Sequence, residues 1–414
     1  MLLDPALHAL AAVDTFRRVM LGTLLEKRMR RMLMCLLIVG CAVCSQGCKK
    51  KPGEQAKGDE IVIGEYGSST GATATFGQSA HEGIMLAIDQ INSAGGVLGK
   101  KIRIIFEDDE SNADKAVAAA QKLVNRDNVV AVLGEVASKR SLAGGQVCEK
   151  AKVPMLSPAS TNPQVTKGEK PGTVKEWVFR ACFTDDFQGA VNGRFAAEHG
   201  WKKVAVLTNV DEDYSKGLAN SFKETFKKVA EPVADESYRG QDKDFKAQLT
   251  RIKAANPDAV FLPGYYTEVG LILRQAREEV GLTCPFFGGD GWDSPETLKL
   301  GAVANGCFYS DHYSPDDPRP EVKLFLDAYK AKYGRVPDAM AVLGYDAARV
   351  MADAIKRAGK VDSAAIRDAL ATTKDFPGAS GAITIDENHN ARKPIVILEI
   401  QNNATKLVKT INPE

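Results

Sequence analysis

A two-lobed α/β fold, each lobe a parallel sheet with helices on both faces, is what the sequence predicts, on three observations. Short apolar runs of strand length alternate with longer stretches of helical periodicity. The chain has 414 residues, which suits two domains of ordinary size better than one extended core. Polar loops rich in Ser, Thr, Gly and Asp follow the apolar runs, where open parallel sheets bind their ligands.

Residues 1–48 stand apart from that pattern. The first 28 carry Asp4, Asp14 and Glu26 and read as an upstream extension, with Met29, Met32 and Met34 as alternative starts. Residues 29–47 read as a signal peptide: Arg30-Arg31, an apolar run over 32–39 too short to span a bilayer, then small residues before a cysteine. Ile38-Val39-Gly40-Cys41 resembles a bacterial lipobox, and Ser45-Gln46-Gly47-Cys48 is a poorer match beside the polar segment that follows, so Cys41 or Cys48 is expected to be acylated; the alternative is plain cleavage. Residues 49–60 hold no apolar side chain larger than alanine and read as a flexible tether.

From residue 61 the elements follow in order. Runs at 61–63, 102–106, 129–133, 153–156, 204–207 and 259–262 are β-branched or apolar and of strand length. Helices are expected at 79–92 and 112–126, with Gly95-Gly96 ending the first, and at 245–255, closed by Asn256-Pro257. Leu249 and Ile252, then Val269, Ile272, Leu273 and Ala276, recur at three- and four-residue spacing and give one buried stripe per helix. This alternation is the pattern of parallel sheets covered on both faces.

Charge and motifs narrow the function. With 54 Lys+Arg against 53 Asp+Glu the formal charge is +1, so no field would gather a polyanion, and no nucleic-acid role is expected. The five histidines are scattered without zinc-ligand spacing, Glu107-Asp108-Asp109-Glu110 lacks the spaced oxygens of a calcium loop, and neither a P-loop nor a dinucleotide fingerprint occurs. No metal, no cofactor and no catalysis are expected.

The loops after the strands hold the candidate site. Ser138 and Thr161 each lie just beyond an apolar run, where a hydroxyl and unpaired backbone N–H groups neutralise an anion; ordinary helix capping is the plainer alternative. Asp290, in Gly288-Gly289-Asp290-Gly291, sits where backbone comes close and a carboxylate could face an ammonium group, although aspartate among glycines also suits a simple turn. Phe76, Tyr214 and Tyr265 occur on such loops and would suit a cleft wall, as they would also suit core or surface.

Taken in order, these loops resemble the branched-chain amino-acid-binding proteins of ABC importers, in the type I periplasmic binding protein class. The likeness runs from about residue 60 to 403. It is carried by 61–71 with Phe76-Gly77, Gly95-Gly96, Phe106-Glu107-Asp108-Asp109, 156–163, Phe187-Gln188-Gly189, Asp213-Tyr214, Asp242-Lys243-Asp244-Phe245, Gly264-Tyr265-Tyr266 with Glu268, and 286–291. The resemblance implies two Rossmann-like lobes joined by a three-crossing hinge near 183–185, 311–313 and 381–385. Lobe 1 would be 61–183 plus 312–382, and lobe 2 would be 184–311 plus 383–414.

It further implies that Ser138 and Thr161 hold the ligand carboxylate, that the Ala159 carbonyl, the Thr161 hydroxyl and Asp290 receive the ammonium, and that Ser160 lies among the ligand-binding residues. Phe76, Tyr214 and Tyr265 would line the side-chain end. Well-known members carry an acid one methylene longer where Asp290 stands. Their cysteine pair is missing, since Ser111 and Ala137 occupy its positions, and pairings of Cys284 with Cys307 and Cys148 with Cys182 remain possible within the lobes.

The implied protein is a lipid-anchored monomer of the periplasm or cell-envelope surface that hands an apolar amino acid to permease subunits. A ligand-sensing receptor of the same fold and a two-domain α/β enzyme are the alternatives.

Overall fold

The computed structural model describes Gly58 and residues 60–413. The signal segment, most of the tether and the expected acylation sites Cys41 and Cys48 lie outside the described residues.

The chain opens with β1 (Glu60–Gly67), α1 (Ala74–Ser93), β2 (Lys101–Asp108), α2 (Ala113–Asn125), β3 (Val132–Leu133), α3 (Ser138–Ala151), β4 (Met155–Ser157) and β5 (Val178–Arg180). These strands form one parallel sheet in the order β2-β1-β3-β4-β5, with Ile61 opposite Ile102 and Gly64 opposite Val132. From Ile61 onward β1 is buried almost without interruption, as a strand covered by helices on both faces should be. The order reverses direction at β1, so the crevice beyond the ends of β1 and β3 is the place where this topology binds ligands.

The second sheet follows the same plan. Its elements are α4 (Asp185–Glu198), β6 (Val204–Asn209), α5 (Asp213–Phe226), β7 (Ala234–Tyr238), α6 (Lys246–Ala254), β8 (Ala259–Phe261), α7 (Tyr266–Arg274), β9 (Phe286–Gly288), α8 (Pro295–Leu298) and β10 (Cys307–Asp311). Strands β7-β6-β8-β9-β10 run parallel, and the order reverses at β6.

The chain then returns to the first lobe with α9 (Pro320–Tyr333), α10 (Ala339–Ala358) and α11 (Ser363–Ala371), and with a small antiparallel sheet of β11 (Phe376–Gly378), β12 (Gly381–Ile385) and β13 (Ala391–Arg392). It ends on β14 (Ile395–Gln401) and β15 (Ala404–Ile411), which add antiparallel to β10 in the second sheet.

Two features differ from expectation. Residues 381–385 form β12, whose alternate side chains are buried, and Ile383, Ile385 and Ala391 join the first lobe's core. Ile395 and Ile397 belong to the second lobe's packing, so the third passage between lobes lies at Lys393-Pro394, about ten residues beyond the expected boundary. The cysteine pairings also fail: Cys148, Cys182, Cys284 and Cys307 are free. Cys148 is packed inside α3 against the first sheet, whereas Cys182 faces the charges of Arg180, Asp290 and Lys393. The Arg277 guanidinium sits against both remaining cysteines, 2.8 Å from the Cys284 carbonyl and 4.0 Å from Cys307 Sγ.

The core is continuous across the lobes. Phe76, Ala159, Met340 and Leu343 from the first pack in one cluster with Tyr214, Tyr265, Phe222 and Phe287 from the second. Helices α1 and α10 meet backbone to backbone, because a Cβ at Gly83 or Gly344 would collide with the carbonyls of Ala341 and Ala80. That crossing fixes the N-termini of both helices, which carry Phe76 and Met340 into the cleft.

Candidate functional site

The loops beyond β1, β3 and β4 face those beyond β6, β8 and β9, and the lobes are drawn together over them. Lys139 Nζ donates to the Asp211 carbonyl at 2.9 Å, Thr267 Oγ1 to the Ala72 carbonyl at 2.6 Å, and Asn162 Nδ2 to the Asp213 carbonyl at 2.7 Å. Thr75 and Ser294 hydroxyls meet at 3.2 Å. The cleft is therefore described in its closed form.

On the first lobe, two loops are knitted by one carbonyl. The hydroxyls of Ser141, Ser157 and Ser160 all lie within 2.7–2.9 Å of the Glu135 carbonyl oxygen. Beneath them Arg180, fully buried, donates to the carbonyls of Ser160 and Asn162 at 2.7 and 2.8 Å. The loop over 157–163 is thus held from below by a cation and from the side by hydroxyls. Ser160 consequently faces inward: its N–H, carbonyl and hydroxyl all have partners inside this lobe, and it shapes the loop.

Ser138 and Thr161 differ. The N-cap of α3 is Ala137, with no side-chain cap, so Ser138 does not cap; its hydroxyl accepts from the Asn162 N–H at 3.1 Å and retains a proton to donate. Asn162, not Thr161, caps the short helix that follows. Thr161 lies against Asp185, whose N–H donates to the Thr161 carbonyl at 2.9 Å. Ala159 is buried in the same cluster as Phe76 and the tyrosines.

On the second lobe Asp290 opens a one-turn helix, and its carboxylate is aimed rather than spent on a turn. Oδ1 accepts from Gln188 Nε2 at 2.9 Å, and Oδ2 lies 3.2 Å from His312 Nε2. Burial depresses the His312 pKa to about 4, so the ring is neutral and donates through Nε2, while its face stacks on Phe183 at 3.7 Å.

Beside this acid lies a second. Asp185 is fully buried, neither carboxylate oxygen has a well-formed hydrogen bond, and its pKa is pushed well up by burial and by Asp290, against the Thr161 hydroxyl. Two carboxyl groups sharing one dry pocket are what an ammonium group would neutralise.

The aromatic side chains complete the wall. Tyr214 and Tyr265 stack with centroids 5.1 Å apart, and Phe76 meets Tyr265 edge-on at 5.7 Å and Tyr266 at 4.9 Å. The Tyr214 hydroxyl accepts from the Gly291 N–H at 3.1 Å. A side chain at Gly289 would run into that hydroxyl, which is why glycine stands beside Asp290.

Contacts bring six of the eight residues singled out from sequence to neighbouring loops: Phe76, Tyr265 and Tyr214 through their rings, Tyr214 through Gly291 to Asp290, and Ser138 and Thr161 through Asn162 and Asp185. Ala159 belongs to the packed wall, and Ser160 supports from behind. Sequence reasoning missed Asp185, Gln188, His312 and Arg180. The first two sit in Asp185-Asp186-Phe187-Gln188-Gly189, whose capping threonine, Thr184, marks a helix start after a strand and was a usable signal.

Sequence reasoning found no hydrolase nucleophile turn, but Gly67-Ser68-Ser69-Thr70-Gly71 has its spacing. Its side chains and loop backbone bond to Asp108, Asp109, Glu135, Gln78 and Ser111, with no histidine among them. Among the described residues no group of acids, histidines and cysteines could hold a metal ion, and no helix is long and apolar enough to cross a membrane.

Comparison with known proteins gives the family. Residues 60–405 match the periplasmic binding protein family. The chain is 31% identical over 384 residues, 92% of it and 98% of the relative, to a leucine-, isoleucine-, valine-, threonine- and alanine-binding protein of Pseudomonas aeruginosa. Among solved structures it is similar to a leucine binding protein of Thermotoga maritima, with 40% identity, a TM-score of 0.80, and 85% of this chain and 99% of that one covered. It is also similar to a branched-chain amino acid transporter substrate binding protein of Streptococcus pneumoniae in complex with isoleucine, with 35% identity, a TM-score of 0.80, and coverage of 86% and 100%.

Proposed function

The chain belongs to the periplasmic binding protein family, and on that premise we propose that it captures an apolar amino acid, branched-chain above all, between its lobes and delivers it to the permease of an ABC importer. Relatives named for leucine, isoleucine and valine binding, and a similar structure holding isoleucine, support this reading. The observation that carries it is the split of the site. Hydroxyls and loop backbone of Ser138 and Thr161 belong to one lobe, and Asp290 with Tyr214 and Tyr265 to the other.

In this reading the ligand carboxylate docks on the first lobe, against Ser138 and Thr161, where no side-chain cation is needed because backbone N–H groups and a helix N-terminus supply the positive end. The ammonium then meets the Ala159 carbonyl, Thr161, Asp185 and Asp290, and the side chain lies against Phe76, Tyr214 and Tyr265. Closure follows because the second lobe's acids gain a partner only when the lobes meet. The permease would read the two lobe faces brought side by side. An acyl chain on Cys41 or Cys48 would hold a monomer at the extracytoplasmic face of the membrane.

Mass spectrometry of small molecules released from freshly purified, denatured protein tests the ligand class, followed by calorimetry with leucine, isoleucine, valine and phenylalanine. An amino acid in the released fraction, with a matching heat of binding, is expected. No heat with any amino acid would overturn the reading.

A further inference from the structure

We propose that the cleft has a second chamber, beyond the aromatic pair, that takes the cationic end of a long amino-acid side chain such as that of lysine, ornithine or arginine. This rests on the amino-acid reading above and extends its ligand range.

A cavity of about 510 Å³ lies between the lobes, walled by Thr73, Lys139 and Arg140 from the first and by Glu212, Tyr265 and Glu268 from the second. It adjoins the amino-acid site at two points. Tyr265 belongs to both, its ring stacked on Tyr214, and Lys139-Arg140 directly follow Ser138.

The chamber's chemistry is set by which charges are already engaged. Arg140 Nη2 donates to Thr73 Oγ1 at 2.7 Å, and the guanidinium lies 3.1 Å from Glu135 and 3.7 Å from Asp109, both fully buried. Lys139 is bound to the Asp211 carbonyl. Arg140 is thus ion-paired within the first lobe, whereas Lys139 is held by a neutral carbonyl and its charge, like that of Arg140, also acts on Glu212.

Among the acids, Glu212 Oε2 is buried without a hydrogen-bond partner. The Tyr265 hydroxyl is likewise unpartnered, on a residue only 7% exposed. Glu268, 6% exposed, stands on the same wall. Buried acceptors left in this way cost stability until a donor reaches them, and a charged donor offsets that cost most.

A leucine or isoleucine side chain has no polar atom to satisfy these groups. A straight four-carbon stem lies along ring faces at little cost, and its terminal cation would then meet Tyr265 and Glu212 together. The cavity has the size and wall chemistry for such an end group.

The test is titration calorimetry on the purified chain with L-leucine, L-lysine and L-arginine, repeated on Glu212→Gln and Glu268→Gln. Binding of lysine or arginine is expected, displaced by leucine, with each variant losing about tenfold in affinity for the basic ligand and less than about threefold for leucine. Leucine binding with no heat from either basic amino acid would overturn the chamber and leave the amino-acid reading standing. So would equal losses for both ligand types in the variants. If neither type binds, the amino-acid reading fails and the chamber falls with it.

Discussion

Asp185 and Asp290 are two acids in one dry pocket, and their surroundings separate their behaviour. Asp290 is supplied with donors by Gln188 and His312, whereas Asp185 has none of good geometry and is held toward its protonated form by burial and its neighbour. An incoming ammonium would draw the Asp185 pKa back down, so binding releases a proton wherever the free protein holds it. Affinity then rises with pH through that window. Calorimetry across pH in buffers of different ionisation enthalpy should show this release, and heats independent of buffer at every pH would contradict it. Replacing Asp290 with alanine should weaken amino-acid binding by about tenfold or more, because the ammonium loses a desolvated partner.

His312 makes a stability prediction of definite sign. Its folded pKa of about 4 lies below the ordinary value of 6.5, so below pH 6.5 the unfolded chain binds the extra proton and stability falls until about pH 4. Urea midpoints should drop between pH 7 and pH 5, and the drop should shrink in His312→Gln.

The residues legible in sequence were those directly after apolar runs, which is why Ser138, Thr161 and Asp290 emerged. His312 did not: a lone histidine gives no local signal, and only the passage from β10 back to the first lobe carries it to Asp290. Arg180 was hidden for a related reason, since a guanidinium inside a three-residue strand reads as an edge until the loop wrapped over it is seen.

Elements set the geometry these residues share. The crossing of α1 and α10 depends on two missing side chains, Gly83 and Gly344. Either glycine replaced by alanine should force the helices apart, costing roughly 1–3 kcal/mol by overpacking, and should also weaken ligand binding, because Phe76 and Met340 ride on those helices. Asp362 is the contrasting case: it caps α11 by accepting from the Ala365 N–H at 3.0 Å, far in the chain from every cleft loop. Asp362→Ala should cost about 1 kcal/mol in urea unfolding and leave affinity unchanged.

Strand and helix alternation was readable here because the inner strands β3, β6, β8 and β9 are buried along their whole length and mainly apolar, whereas the edge strands β2 and β7 are partly exposed. The end of the second lobe was not readable. Residues 381–385 alternate like any amphipathic strand, and which core they join depends on Pro394 and on β14 pairing with β10.

At the scale of the whole molecule, the proposed function rests on a change in the distance between two halves. The contacts Lys139 to Asp211, Thr267 to Ala72 and Asn162 to Asp213 exist only when the lobes are together. Beside them Phe76 packs on Tyr265 and Tyr266 across the cleft, and ligand contacts would add to these in favouring closure. Small-angle scattering should show the radius of gyration fall on adding ligand, with the change lost in Asp290→Ala at the same ligand concentration.

The central claim is that both charged ends of a zwitterion are held at once, one by each lobe. Titration with leucine, with 4-methylpentanoate, which lacks its ammonium, and with 3-methylbutylamine, which lacks its carboxylate, tests this most directly. Leucine should bind, and both truncated analogues should be weaker by about a hundredfold or more. An analogue that binds as tightly as leucine would contradict the account.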